Sequence, residues 1–341
     1  VTTQQDAQIG FKKESVWATP VTPDVFPEYV AEDLDWNPQF AQGAGLKVGR
    51  RVDADSRNVL VKDDVGGSFT VEPHTKGLGR LIEAALGGTG ASTVASTPAY
   101  QQLFTPTSTD DLSSYTIQKG LPLVGGGASQ PMTFAGMVCS GFELQAGNGA
   151  IPTLKFNWLG KAVDTSTGLA TASYVTDDEL FSFIHASLTL GGSVTPPSTT
   201  ALASGGTAAN DIREFNLTYS NGLDANGWNM GSTGKRTRKP KLGKRVITGS
   251  FVAEFDATTI RDLYLARTST PLVFTLTSLN AITGAYYPAF QICLPAIKLD
   301  GELPKTNGGD VVTLSVGFTI YDNGTAAHPV YVAIVTTETS I

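Results

Sequence analysis

The residues able to do chemistry are few and scattered. The three histidines are His74, His185 and His328. His74 is expected to open a helix, His185 lies in the strand-like FSFIHASLTL, and His328 lies near the last strand-like run. None has a motif partner in its neighbourhood. The chain has no GxSxG elbow, P-loop, HExxH or strand-following GxGxxG. The two cysteines, Cys139 and Cys293, have neither a CxxC neighbour nor a histidine at metal spacing, so they read as buried free thiols of a reducing compartment. Asp53 and Asp55 begin like a calcium loop. Arg57 then takes the fifth position and glycine is missing from the sixth. Acidic pairs such as Asp63–Asp64 and Asp177–Asp178 read as solvated loop residues. These observations predict no enzyme, no metal and no cofactor.

The strongest charge feature is KRTRKPKLGKR, with Lys235, Arg236, Arg238, Lys239, Lys241, Lys244 and Arg245. Three readings compete: a solvated loop, a nucleic-acid contact, or docking on an acidic surface of a neighbouring subunit. No aromatic residue interleaves to stack on bases, which weakens the second. Docking is the expectation, because charge complementarity orients an approaching partner. A weaker basic set, Lys47, Arg50, Arg51 and Arg57, occupies the matching place in the first half.

The elements that carry these loops are strands. Only 16% of the 341 residues are charged, 37 are glycine and 18 are proline, a balance that favours a turn-rich β protein. The net charge of −7 argues against a general nucleic-acid binder. No apolar run approaches the ~20 residues of a membrane span, and VTTQQDAQIGFKKES lacks an apolar signal core.

One pattern occurs twice. Gly67 to Pro73 (GSFTVEP) leads into HTKGLGRLIEAAL, and Gly249 to Phe255 (GSFVAEF) leads into DATTIRDLYLAR. Leu78, Leu81, Ile82, Ala85 and Leu86 form a helical stripe, which Ile260 and Leu263 begin to repeat; Gly87 and Gly88 supply a stop. A hairpin follows each helix, over residues 134–160 and 290–322. Leu154, Phe156 and Trp158 alternate with polar residues, as do Leu314, Val316, Phe318 and Ile320, so each strand buries one face. A further strand precedes each unit, Tyr29 to Trp36 and Asp211 to Tyr219. Polar excursions then follow at 37–58 and 220–245. The run from Gly191 to Asn210 reads as a flexible loop. The expected fold is mainly β: two tandem antiparallel β-sandwich domains, each with one packed α-helix, over residues 1–175 and 176–341.

With these segments in order, the chain resembles the tail tube proteins of long-tailed bacteriophages. The resemblance rests on IGFKKESVWATPVTPDVFP, SSYTIQKG, MTFAGMVCSGFEL, LKFNWLGKAV, FNLTYSNGLDA and VITGSFVAEF. It implies a fold shared with type VI secretion tubes, in which rings stack and an inner β-barrel lines a channel. It also implies a virion tail protein assembled in the host bacterial cytoplasm. The implied partners are further copies of itself, a tail terminator, a tape measure and tail tip proteins. DNA would pass through the lumen without specific binding. The second copy of the domain departs from the usual form and predicts three chains per ring with pseudo-sixfold symmetry. Glu72 and Glu254 recur on the strand face turned away from the core and are expected to line the lumen. The two basic sets are expected to contact the next ring. The alternative is a two-domain β-sandwich that recognises a host-surface glycan, for which Trp17, Trp36, Trp158 and Trp228 are the available aromatic platforms.

Overall fold

Alternation of apolar and polar side chains builds this protein. Along Thr153–Gly160 every second residue is buried, and Phe215, Leu217 and Tyr219 do the same within Ile212–Ser220. The computed structural model describes residues 3–88, 90–301, 303–306, 308 and 311–341. Strands dominate it, joined by two short α-helices, α1 (Gly79–Leu86) and α2 (Thr259–Ala266).

Strand pairing follows the same order twice. In the first half, Gln8–Lys13 pairs with Tyr115–Leu121, which pairs with Gln130–Ala146. Next come Thr153–Gly160, then Asn58–Val71, then Ala31–Glu32 and Asp35–Gln42. In the second half the order is Ala186–Leu190, Thr270–Thr277, Ala289–Gly301, Thr313–Ile320, Val246–Glu254 and Ile212–Ser220. Every pairing is antiparallel. An irregularity recurs at the matching place: Tyr115/Ile117 opposes Met137/Phe134, and Thr270/Leu272 opposes Ile297/Leu294.

The long strand Gln130–Ala146 serves two sheets. Its first part pairs with Tyr115–Leu121 and Ala162–Asp164, its second with Thr153–Gly160 and Ile212–Ser220. It turns between them at a bulge at Cys139/Gly141. Gly141 has φ +155, and a Cβ there would lie 2.0 Å from the Tyr219 carbonyl oxygen, so only glycine fits. Aromatic rings join the layers. Tyr115 meets Trp158 edge-on at 5.8 Å, and Phe274 stacks on Phe215 at 4.7 Å between centroids.

The helices share a position but not an environment. In α1, Leu81, Ile82, Ala85 and Leu86 are buried, and Leu78 just before it is too. Gly87 then ends the helix at φ +74. In α2 only Ile260 is buried, and Leu265 is 59% exposed.

The structure departs from the sequence reading in several places. The strand expected over Tyr29–Trp36 breaks at Asp33–Leu34, where the Asp33 carboxylate accepts from the Ser68 amide and the chain crosses Gly67 closely. The excursion expected over 37–58 is largely a hairpin, since Asp35–Gln42 pairs with Asn58–Gly66. His74 precedes α1 by several residues. His185 closes a 3-10 turn, Phe183–His185, ahead of the strand. The Gly191–Asn210 run holds a small hairpin, Val194–Thr195 with Ser204–Gly205, and Gln101 Nε2 donates to the Ser198 and Ala201 carbonyls. The turn of the second hairpin falls partly outside the described residues. The sequence reading also missed that Tyr331–Thr336 pairs with Ala99–Phe104, joining the end of the second half to the first.

Phe215 packs where the two layers and the two halves meet, against Phe274 and Phe318. Phe215→Ala is expected to lower unfolding stability by about 3–5 kcal/mol, measured as a shift of the denaturant midpoint. Thr218→Ala, on the exposed polar face of the same strand, is the control and should change it by less than about 1 kcal/mol.

Candidate functional site: an open sheet, its polar face and a projecting arm

The two halves join edge to edge. Phe215–Ser220 pairs with Ala146–Gly141, so the four-strand sets of both halves become one sheet. A single row crosses eight strands: Lys298, Thr319, Thr248, Thr218, Glu143, Lys155, Thr70 and Ala31. The adjacent row, Leu299, Phe318, Gly249, Leu217, Leu144, Leu154 and Val71, faces the core. Among the described residues no strand covers the outer side of Ala31–Glu32 and Asp35–Gln42, nor the outer side of the strand after Ile297, from Lys298 to Gly301. The sheet thus ends in two bare edges, each with backbone groups still to be paired.

Strand parity puts Glu254 on the polar face, and Glu72, one residue past its strand, takes the same side. The face also carries Glu143, Glu214 and Asp300, which the sequence reading missed. Their signal was available: each alternates with a buried apolar residue on its own strand. Lys155 and Lys298 share the face. Arg213 binds Glu254, with Nε donating to Oε1 at 2.6 Å. Carboxylates therefore outnumber cations across the sheet.

The two basic sets have different settings. Lys47, Arg50 and Arg51 are exposed on the tip of the arm formed by Asp35–Gln42 and Asn58–Gly66. Arg57, also exposed, donates across the tip to the Gly45 carbonyl. Asp53 and Asp55 lie on the same tip. The arm also exposes Phe40, Leu46, Val48, Val52, Val59, Leu60 and Val61, with Leu46 and Val48 fully in solvent. An isolated two-stranded ribbon is marginally stable in water, and this one has apolar groups bare on both faces.

The second set is engaged within the chain. Arg236 is 1% exposed; its Nη2 reaches Asp64 Oδ1 at 2.7 Å, and its guanidinium lies 3.9 Å from the Trp228 ring centre. Lys62 covers the same ring at 3.6 Å, and Trp228 Nε1 donates to the Asp63 carbonyl at 3.1 Å. Lys235 lies 3.9 Å from Asp63, and Lys241 2.6 Å from Asp111. Lys239 Nζ donates to the Leu112 carbonyl at 2.6 Å, and Arg245 Nη2 to the Thr107 carbonyl at 2.7 Å. Arg238 pairs with Asp224 inside the loop and holds that carboxyl below its usual range. Lys244 faces solvent. The acidic surface met by this loop is thus the first half of its own chain. Asp63 and Asp64, expected as solvated loop residues, are its anchors: Asp63 is buried and also accepts from Trp36 Nε1.

The remaining reactive groups do structural work. His74 Nδ1 lies 2.7 Å from Asp178 Oδ2, tying the segment ahead of α1 to the inter-half segment. His185 Nδ1 accepts from the Ser182 amide at 2.9 Å and closes its own turn. Cys139 and Cys293 are buried, and burial pushes both thiols up to about 12. The tryptophans are engaged as well. Trp158 is core, Trp228 is sandwiched between cations, and Trp17 donates to the Gly136 carbonyl at 3.2 Å.

The protein is mainly antiparallel β, and the histidines, cysteines and tryptophans placed above make structural contacts. The family model described as phage tail tube protein matches residues 4–320. The chain belongs to that family and is a structural component of the phage virion tail. No curated protein matches it.

Arg236→Ala should lower stability by about 1–3 kcal/mol, because it leaves a buried partner set unpaired. It should also speed proteolytic cleavage within Lys235–Lys244, read on a gel against Lys244→Ala, which should match the unaltered protein.

Proposed function

We propose that this chain assembles into closed rings that stack into the phage tail tube, and that the tube conducts DNA during delivery to the host. The observation that carries the reading is the eight-stranded sheet, apolar on one face, polar on the other and bare at both edges. Bare edges are tolerated in a protein that closes them with further copies of itself. The contact is head to tail and closes by rotation. The recurring strand order supports a duplicated tube domain, 1–175 and 176–341. Three chains then supply six equivalent positions.

In this reading the polar face lines the lumen. Glu72 and Glu254, with Glu143, Glu214 and Asp300, repel phosphates, and the interspersed Lys155, Lys298 and Arg213 keep the wall from becoming a uniform field. The exposed arm makes the axial contact. Leu46, Val48 and Val52 supply apolar area, and Lys47, Arg50 and Arg51 supply charge. The second basic loop, largely occupied within the chain, adds Lys244 to that contact. Assembly takes place in the host cytoplasm, with a tail terminator, tape measure and tip proteins as further partners. The glycan-binding alternative has weaker support, because Trp17, Trp158 and Trp228 are held by other groups.

Negative-stain electron microscopy of the purified protein tests this. Uniform rings or tubes are expected; a persistent monomer at high concentration would refute it. The triple variant L46S/V48S/V52S should keep its fold by circular dichroism and give single rings or short stacks. Full-length tubes from that variant would sink the axial role of the arm.

A further inference from the structure

Packed protein interiors leave few voids larger than a water molecule, yet an apolar cavity of about 330 Å³ opens where the halves join. Ala146, the last residue of Gln130–Ala146, supplies one side of it. Phe183, Leu188, Ile212, Phe215 and Phe274 supply the rest of the apolar lining. Phe215 and Phe274 stack there at 4.7 Å between centroids. Ile184 also lines the cavity, with 71% of its surface exposed. The volume lies at the lower end of the roughly 300–1,000 Å³ that small-molecule sites occupy.

Carboxylates gather on its polar side. Glu214 lines the cavity, is exposed and has no hydrogen-bond or ion-pair partner among the described residues. Among the described lining residues Arg213 is the one cation, and Glu254 holds it, with Nε donating to Oε1 at 2.6 Å. Asp211 adjoins Glu254, whose amide donates to the Asp211 carbonyl at 2.9 Å. Burial raises the Asp211 carboxyl above its ordinary range; its own amide opposes the rise, and the charges of Asp256 and Glu254 add to it. Four carboxylates thus share one arginine, and an apolar space lies beside them.

The first half supplies its own cation at the equivalent place. Phe69 and Phe251 match through GSF; Phe69 opposes Glu32 and Phe251 opposes Phe215, so Glu32 holds the place of Phe215. The matching irregularities align Ile117 with Leu272, and hence Lys119 with Phe274. There Lys119 Nζ donates to both Glu32 carboxylate oxygens at 3.1 Å and to the Leu34 carbonyl at 2.6 Å. Counted on from GSF, His74 holds the place of Asp256. The second half therefore lacks the lysine and carries one more carboxylate. We infer that the cavity binds a small amphiphilic cation, an alkyl amine whose apolar body lies against Leu188, Ile212 and Phe274 and whose ammonium meets Glu214 and the neighbouring Asp211 and Asp256. Such a cation leaves water only where opposite charge receives it. The occupant touches Ala146 of the first half and strands of the second, so it stabilises their joint by mass action. The site belongs to a single chain, and its occupancy does not depend on ring formation.

Calorimetric titration of the full chain with hexylammonium, hexanol and hexanoate tests this. Hexylammonium should bind at one site per chain, at least tenfold tighter than either comparator, and more weakly as salt is raised. It should also raise the thermal unfolding midpoint, which hexanoate should leave unchanged. Glu214→Lys, at an exposed position, should keep the circular dichroism spectrum and weaken hexylammonium at least tenfold. Ala186→Phe, which fills the cavity from its wall, should remove binding. Should that variant not fold, methyl NMR of the unaltered chain decides: hexylammonium should shift Ile184, Leu188 and Ile212 and leave distant methyl groups in place. No saturable binding, hexanol binding as tightly as hexylammonium, unchanged affinity in Glu214→Lys, or shifts confined to other methyl groups would each overturn the site.

Discussion

A β-strand edge carries a row of amide hydrogens and carbonyl oxygens that must be paired, and this molecule is organised around that requirement. Between the halves the requirement is met where Tyr331–Thr336 pairs with Ala99–Phe104 and, within the eight-strand sheet, where Phe215–Ser220 lies against Gly141–Ala146. That contact turns two four-strand sets into a sheet with an unbroken polar row and an unbroken apolar row. The second layer, the aromatic bridges from Tyr115 to Trp158 and from Phe274 to Phe215, and the placement of α1 all pack on the apolar row. The polar row is left facing outward, with its carboxylates spread over several strands.

Electrostatics reinforces the same contact. The loop that follows Ile212–Ser220 reaches across the first half and closes on Asp63, Asp64 and Asp111. Surface ion pairs contribute little singly. Here Arg236 is buried, stacked on Trp228 and bonded to backbone as well as carboxylate, so direction as well as charge is specified. Asn221 adds a neutral bridge: its Nδ2 donates to the Ala85 carbonyl at 2.7 Å and the Cys139 carbonyl at 3.2 Å, joining α1, the bulged strand and the loop.

Much of this was legible in the sequence because strands and helices announce themselves by local period. The alternation of Leu154, Phe156 and Trp158, the stripe from Leu78 to Leu86, and the repeated GSF each lie within a short window. The hidden features depend on partners distant in sequence. Nothing near Asp63 and Asp64 signals that Arg236 and Trp228 will cover them. The break at Asp33–Leu34 arises from a hydrogen bond to Ser68 and a close crossing at Gly67, neither visible in the local pattern. The reading of 37–58 as a polar excursion failed because strand pairing continues there while both faces stay in solvent, so the period-two burial signal is lost. For the polar face, Glu72 and Glu254 stood out through the repeat. Glu143 and Glu214 have no such echo; their one local signal was alternation with buried Phe142, Leu144 and Phe215, and the alignment of neighbouring strands put them on one face.

The pairing of Tyr331–Thr336 with Ala99–Phe104 has a consequence for synthesis of the chain. Strand Ala99–Phe104 leaves the ribosome early, and its partner is translated more than two hundred residues later. The buried row Val332, Ala333, Ile334 and Val335 is contributed by that late segment. A nascent first half therefore waits with an unfinished edge and cannot reach its final stability alone. Long-range closure of this kind slows folding. A product that stops before Tyr331 therefore lacks a strand of the finished structure and leaves the Ala99–Phe104 edge without its late partner.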